Sequence, residues 1–422
     1  MADTRPLRNE HFRRLWTANI VTVVGAQLTV VAVPAQIYQM TGSSAYVGLT
    51  GLFGLVPLIV FGLWGGALAD VFDRRTLLLI TTTGLIGTSA LFWLQAALGN
   101  GSVWLLLGLF AVQQAFFAVN QPTRSAVLPK LLPDELLPAA NSLNMTVMQA
   151  GAIGGPLIAG VLIPVLGFST LYLIDTITLF ATLSAVVRLP RLAVEGAPTR
   201  SPGLRSVVEG FTYLAGHPVL LMSFVVDLIA MVFGMPRALF PEIAHESFSG
   251  PDEGGLVFAL LFAAIPAGAV IGGVFSGWVS RVTRQGYAVV VCIVVWGAAM
   301  TGFGLAVALA DRGAAAVALP IALLMLVIGG AADMASAAFR TSMLQSAATD
   351  AVRGRLQGVF IVVVAGGPRI ADVVHGATAA AVGTAAAAAG GGVLVVVGVV
   401  VAALVVPSFV SYRITRPAPA AA

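Results

Sequence analysis

Ionisable side chains inside long apolar runs are the residues of this sequence that could do chemistry. Seven of them lie within or at the ends of such runs: Arg124, Asp175, Asp227, Asp333, Arg340, Arg369 and Asp372. A charge that faces lipid is costly, so each side chain is expected to face a polar cavity or a partner. Asp227 lies about 12 Å along its predicted helix, at about 1.5 Å per residue. A carboxylate at that depth can bind a proton reversibly, which is the step that a proton-coupled carrier needs.

Structural pairing is the alternative for each of these residues. Arg369 and Asp372 are three residues apart and share a helix face, so they could simply neutralise each other. Asp333 and Arg340 are two turns apart on one face. For Asp227 and Asp372 both interpretations stay open, and the hypothesis to test is that one of these two residues carries the coupling proton. Asp175, near a predicted outer helix end, is expected to be structural.

The composition indicates which elements must position these residues. The chain has 422 residues, of which 58% are hydrophobic and 9% charged, and its mean hydropathy is +0.97. A soluble protein cannot hide so much apolar surface, and the continuous apolar runs exclude an outer-membrane barrel. About twelve helical crossings of about 20 residues fit the length. We therefore predict an all-α membrane protein with twelve transmembrane helices in two six-helix bundles.

The remaining composition narrows the possible partners. The net charge of +4 comes from basic residues spread over loops, so no nucleic-acid partner is expected. A single cysteine excludes an internal disulfide, and the four histidines lack metal-ligand spacing. We expect no metal and no cofactor. No phosphate-binding Gly-x-x-x-x-Gly-Lys motif is present, so neither ATP-driven pumping nor enzymatic activity is expected.

The apolar runs divide into two similar halves. We predict a six-helix bundle over residues 1–188, a cytoplasmic linker with an amphipathic helix over 189–217, and a second bundle with a short cytoplasmic tail over 218–422. The predicted crossings are about 15–37, 46–69, 76–98, 103–127, 139–166, 170–187, 219–240, 256–279, 287–310, 316–339, 354–382 and 393–410. With both termini in the cytoplasm, only Arg237 and Arg312 fall in predicted outer segments, as the positive-inside rule requires.

A short charged turn separates the second and third crossings. Positive charge resists translocation, so Arg74 and Arg75 should stay inside, and Asp70 could pair with an arginine or cap the next helix. The stretch resembles the loop between helices two and three of the major facilitator superfamily, Gly-x-x-x-Asp-Arg-x-Gly-Arg-Arg. The matching positions are Gly66, Asp70, Arg74 and Arg75, whereas Val71 and Asp73 depart from the pattern. The resemblance implies a gating role, and an ordinary positive-inside turn is the alternative.

The fifth crossing carries a second motif. Small residues at this spacing let two helices approach closely, and a proline there bends the helix. The stretch resembles the antiporter motif of major facilitator exporters, Gly-x-x-x-Gly-Pro-x-x-Gly-Gly. The matching residues are Gly151, Gly155, Pro156 and Gly160, with Ala159 in place of one glycine. The resemblance implies export, and a generic packing face is the alternative.

Five further stretches extend the resemblance over almost the whole chain. They are 32–37, 121–124, 231–237, 262–266 and 354–358, and together they resemble the enterobactin exporter branch of the superfamily, which is similar to Tap-type multidrug efflux pumps. The resemblance implies proton-coupled secondary export by alternating access, by a monomer in the inner membrane of a bacterium, with a small-molecule substrate, protons and lipid as its partners.

The substrate is open between two classes. Several arginines, Arg124 and Arg340 among them, would suit an acidic siderophore if they cluster at the cavity. If acids line the cavity instead, a multidrug antiporter is favoured. A sensor or channel that does not transport is the alternative from another class, since fold alone does not define function.

Overall fold

The structure is a computed structural model that describes residues 3–192, 212–251, 254–347, 363 and 366–413, without the side chains of 63, 65–67, 69–71 and 345–347. The described residues form helices and no strand. Within those ranges eleven long helices follow one another: α1 (Glu10–Thr41), α2 (Ser44–Val71), α3 (Arg74–Ala97), α4 (Val103–Leu131), α5 (Leu137–Val187), α6 (Pro218–Gly234), α7 (Leu256–Val274), α8 (Gln285–Leu309), α9 (Ala315–Ala347), α10 (Gly366–Val382) and α11 (Thr384–Val405).

Short polar residues set the ends of the first helices. Asn9 caps α1 by accepting the backbone N–H of Phe12 at 3.0 Å, and Gly42 ends it in the left-handed region at φ 60°. Ser43 caps α2, and Ser102 caps α4 by accepting the N–H of Leu105. These caps satisfy N–H groups that have no partner within the helix, which fixes where each apolar run becomes helical.

Nine helical stretches among the described residues are long and apolar enough to cross a membrane. Two of them, Asp134–Val187 and Gln285–Leu344, contain a glycine at positive φ: Gly167 at 71° and Gly313 at 90°. Each of these glycines interrupts the helical path because only glycine adopts such angles without strain. The predicted all-α membrane fold is confirmed; the count of twelve crossings and the three domain boundaries stay predictions.

Helix ends differ from the sequence prediction in the second half. The seventh crossing was expected to reach Phe240, but α6 ends at Gly234 because Pro236 cannot continue the backbone hydrogen bonding. The eighth was expected to reach Val279, but α7 ends at Val274 and a 3₁₀ turn follows. The last helix begins at Thr384 rather than Val393, since its alanine-rich start favours helix. The predicted amphipathic linker helix lies largely in 193–211, outside the described residues.

The chain divides into two compact units. The first unit holds Met1–Leu204 and Arg237–Ala263, and the second holds Arg205–Pro236 and Ala264–Ala422. In the first unit, α1 and α3 pack on α5, and α2 packs on α4. In the second unit, α8 packs between α9 and α11, and α6 packs on α10 and α11. The segment Arg237–Ala263, which follows α6 in the chain, thus belongs to the first unit.

Two acidic residues of that segment contact the first helices within the first unit. Glu242 accepts the backbone N–H of Ser44 at 3.0 Å, and Glu246 accepts the hydroxyl of Tyr38 at 3.3 Å. Ser44 is the first residue of α2, where a carboxylate is favoured by the unpaired N–H groups and the helix dipole. The first unit therefore gathers the end of α1 and the start of α2 around residues 242–246.

Glycine on α8 lets α11 approach closely, which gives a test of the packing. A methyl group on Gly304 would overlap the backbone of Ala389, with its α-carbon 2.7 Å away. We expect Gly304→Ala to lower the free energy of unfolding by about 1–3 kcal/mol, since backbone cannot move aside. Gly87→Ala on α3 is the matched control, because nothing lies within 4 Å of a methyl group there. Thermal unfolding in detergent measures both; equal melting of the two variants would contradict the packing.

Candidate functional site

One arginine lies between two carboxylates in the second unit. Arg340 of α9 pairs with Asp227 of α6 at 2.5 Å, and its other terminal nitrogen lies 4.0 Å from Asp333, two turns earlier on α9. The side chain of Asp227 is 4% exposed, that of Arg340 15%, and that of Asp333 30%. The cluster thus joins one deeply buried ion pair to a more accessible second carboxylate.

The charge balance of this cluster determines what it can do. Two ionised carboxylates around one guanidinium leave one net negative charge, and burial in an apolar helical bundle makes that charge costly. A single proton on the cluster, or an external cation, would remove it. Removing Arg340 would instead leave two carboxylates without a cation, whereas removing the charge of Asp227 would leave Arg340 with Asp333 alone. The sequence predicted that Asp333 and Arg340 share a helix face. It did not predict that Arg340 pairs with Asp227, because that pair joins two helices far apart in the chain.

A second group of ionisable residues lies along α10. Asp372 and His375 are both buried, and Arg369 is half-buried one turn before Asp372. Sequence reasoning missed His375, although its spacing of three residues from Asp372 on one helix was available as a signal. Among the described residues the His375 Nε2 atom has no hydrogen-bond partner, and its ring is close to Gly391 of α11, where a methyl group would come within 2.8 Å. The pairing of Arg369 with Asp372 stays a prediction.

The charged turn between α2 and α3 ties helix ends together in the first unit. Arg75 donates to the carbonyl of Val187, the last residue of α5, at 2.7 Å, and Arg74 donates to the carbonyl of Ala126 on α4 at 3.2 Å. A cation is favoured at the carbonyl of Val187 because helix C-termini carry partial negative charge, whereas Ala126 lies inside α4. The structure does not describe the side chain of Asp70 or the surroundings of Gly66. The gating role of these residues stays a prediction.

Asp73, not Asp70, caps α3. Its carboxylate accepts the backbone N–H of Thr76 at 2.9 Å and that of Leu192 at 2.8 Å. Burial opposes ionisation, but these hydrogen bonds outweigh it and lower the pKa of Asp73 below its ordinary value. The departure from the family pattern at this position therefore holds the chain after α5 against the start of α3. Leu192 itself packs in a buried cluster with Leu78.

The antiporter motif brings α5 close to its neighbours in the first unit. A methyl group on Gly151 would overlap Val23, and one on Gly155 would overlap Gln27, so both glycines admit α1. A methyl group on Gly160 would lie 2.6 Å from the carbonyl oxygen of Gly255. Pro156 is buried between them in α5. Close packing by small residues explains the motif physically, and its role in export stays a prediction.

Two arginines of the predicted cationic site belong to different units, so the site itself stays a prediction. Arg340 lies in the second unit with its two carboxylates, whereas Arg124 is half-buried on α4 of the first unit. Asp175, expected to be structural, is buried among hydroxyl groups of the first unit. The structure therefore brings together Asp227, Asp333 and Arg340 from the predicted set.

Comparison with known proteins places the chain in a family. Residues 2–415 match the transmembrane secretion effector family of the major facilitator superfamily, and the chain belongs to that family of membrane transporters. It is 29% identical over 361 residues to the enterobactin exporter EntS of Citrobacter koseri, covering 83% of this chain and 80% of that protein. The EntS protein of Escherichia coli O1:K1 is 28% identical over 357 residues, with the same coverage.

A solved structure shares the fold. A bacterial homologue of the lysosomal transporter Spinster superposes with a TM-score of 0.69 at 15% identity, covering 98% of this chain and all of that one.

Removal of the α3 cap has a pH-dependent consequence. A lowered folded-state pKa means that the carboxylate of Asp73 stabilises the fold above its ordinary pKa of 3.8, and that this contribution is lost as pH falls through the folded value. Asp73→Ala should therefore cost about 0.5–2 kcal/mol at neutral pH and progressively less in acid. Asp134→Ala, at an exposed position before α5, is the control. Thermal unfolding across pH measures the difference; a cost independent of pH would contradict a role for the ionised cap.

Proposed function

We propose that the chain is a proton-coupled secondary exporter that moves a siderophore out of a bacterial cell across the inner membrane by alternating access. The observation that supports the substrate class is the similarity to enterobactin exporters over 83% of the chain. Membership of a secretion effector family supports export rather than uptake. We further propose that the protein works as a monomer with both termini in the cytoplasm.

The proton coupling is proposed from the cluster of Asp227, Arg340 and Asp333. Asp227 is engaged by the guanidinium at 2.5 Å, so a proton on Asp227 would have to displace a buried ion pair. Asp333 is at the limit of ion-pair distance and more exposed. We therefore assign the exchangeable proton to Asp333, with Asp227 holding Arg340 in position. Asp372 is the second candidate, because it is buried three residues before His375, whose Nε2 has no hydrogen-bond partner among the described residues.

A cellular experiment tests the substrate. A strain that lacks this chain should retain its siderophore under iron limitation, and expression of the wild-type chain should restore secretion. Tolerance to a panel of hydrophobic drugs is measured in the same strains. Changed drug tolerance without siderophore retention would contradict the siderophore and favour the multidrug antiporter.

A reconstitution experiment separates transport from sensing. Liposomes containing the purified chain should exchange labelled enterobactin for unlabelled enterobactin across the membrane. Binding of enterobactin without exchange would favour a sensor on the same fold.

Replacement of Asp333 tests the coupling. Asp333→Asn removes the exchangeable proton but keeps the size and polarity of the side chain, so we expect enterobactin exchange to persist and accumulation driven by a pH gradient to be lost. Asp311→Asn, at an exposed position between α8 and α9, is the matched control and should accumulate as the wild type does. Asp227→Asn and Asp372→Asn are compared in the same assay. Full pH-driven accumulation by the Asp333→Asn variant would show that Asp333 does not carry the exchangeable proton.

A further inference from the structure

Asp175 is a buried carboxyl group in the first unit, and its surroundings differ from those of the cluster of Asp227, Arg340 and Asp333 in the second unit. Asp175 lies on α5 beyond Gly167 and is 1% exposed. One of its oxygens, Oδ2, accepts the hydroxyl of Thr29 on α1 at 2.7 Å and the hydroxyl of Ser89 on α3 at 2.9 Å. Three helices therefore meet at a single carboxyl oxygen.

The other oxygen of Asp175 is unpaired. Among the described residues Oδ1 has no hydrogen-bond partner and no access to solvent. It faces Gly25 of α1, where a methyl group would lie 2.9 Å from Oδ1 and would overlap the hydroxyl of Thr178. Oδ1 and the Thr178 hydroxyl thus border the same small space, and glycine at position 25 keeps that space open. An unpaired buried oxygen on a charged group is among the costliest defects in a folded protein.

No cation compensates the carboxyl group within the part of the chain that the structure describes. Its contacts are the hydroxyls of Thr29 and Ser89, and the titratable group beside it is Tyr172, one turn earlier on α5. The hydroxyl of Tyr172 donates its proton to Gln36 of α1 at 2.8 Å, so it does not donate to Asp175. An ionised Asp175 would be an isolated charge between three helices, without the guanidinium that Asp227 has. A proton on Oδ1 removes the charge and turns the unpaired acceptor into a donor that can reach toward Thr178.

We infer that Asp175 is a second proton-binding site of this protein, separate from the cluster around Arg340. The carboxyl group is neutral while α1 and α3 exclude water from it, and access of water on separation of these helices would favour release of the proton. The binding itself stands on the geometry of the first unit, whereas its use in coupling rests on the proposed function. If the proton of Asp175 is exchanged as well as that of Asp333, more than one proton moves for each substrate molecule.

A polar layer next to Asp175 continues along α1. Gln36 and Gln95 of α3 exchange hydrogen bonds at 3.1 and 3.4 Å, and both are buried. Two residues further along α1, the hydroxyl of Tyr38 donates to Glu246 at 3.3 Å. Hydrogen-bonding side chains of this kind are what a proton needs to move through an apolar bundle. Gln36 and Tyr38 lie on α1 between Thr29, which contacts Asp175, and the C-terminal end of the helix.

Infrared spectroscopy of the purified full chain tests whether the proton is present. A protonated carboxylic acid gives a carbonyl band that is distinct from that of a carboxylate and that shifts in heavy water. Because Asp333 is assigned a proton as well, the comparison is made in an Asp333→Asn background. We expect the band there at neutral pH, its loss when Asp175→Asn is added, and its retention when Asp311→Asn, at an exposed position, is added. An unchanged band in Asp175→Asn would overturn the inference. Asparagine resembles the neutral acid in shape and hydrogen bonding, so the variant is expected to fold; its melting temperature is measured alongside.

Transport by the same variants tests whether the proton is exchanged. In liposomes, Asp175→Asn should keep enterobactin exchange but lose part of the accumulation driven by a pH gradient. A carbonyl band lost in Asp175→Asn together with wild-type accumulation would mean that the proton never leaves, which overturns the exchange. If the wild-type chain itself shows no pH-driven accumulation, the proposed coupling fails while the infrared result still decides whether Asp175 binds a proton.

Discussion

The cost of an uncompensated charge among apolar helices is the constraint on which the rest of the structure depends. Several ionisable groups illustrate how this cost is reduced. Asp227 and Arg340 form a close pair between α6 and α9. Arg75 donates to a backbone carbonyl at the end of α5, where partial negative charge is already present, and Arg74 donates to a carbonyl inside α4. Asp175 meets hydroxyl groups rather than a cation, and for this reason we assign it a proton.

Close helix packing makes these arrangements possible, and glycine provides it. Gly151 and Gly155 let α1 approach α5, and the same pair of helices contributes Thr29 and Asp175 to the buried carboxyl site. In the second unit Gly304 admits the backbone of α11. Lipid offers no hydrophobic driving force between helices, so contact at short range and polar bonds across helices supply the stability. Glycine at these three positions is thus a requirement of the packing.

The sequence predicted the class of fold and most helix positions because apolar runs of membrane length leave little choice. It also identified Asp227, Asp333 and Arg340 as residues of interest, since charges in such runs stand out. It could not predict that Asp227 and Arg340 pair, because their contact depends on how α6 packs against α9. The role of Asp73 was missed for a related reason: one of its two backbone donors, Leu192, is distant in the chain. His375 was set aside as one of four scattered histidines. It is buried, with its ring close to Gly391 of another helix, and this contact cannot be predicted from the sequence alone.

A double-mutant cycle on the pair of Asp227 and Arg340 tests the central claim most directly. Thermal unfolding in detergent is measured for Asp227→Asn, Arg340→Gln and the double variant. Arg340→Gln leaves two carboxylates without a cation and should cost about 3–5 kcal/mol, whereas Asp227→Asn leaves Arg340 with Asp333 and should cost less. The double variant leaves no lone charge from the pair, and its loss should be clearly smaller than the sum of the two single losses. Additive losses would show that the two residues do not neutralise each other, and would contradict the account.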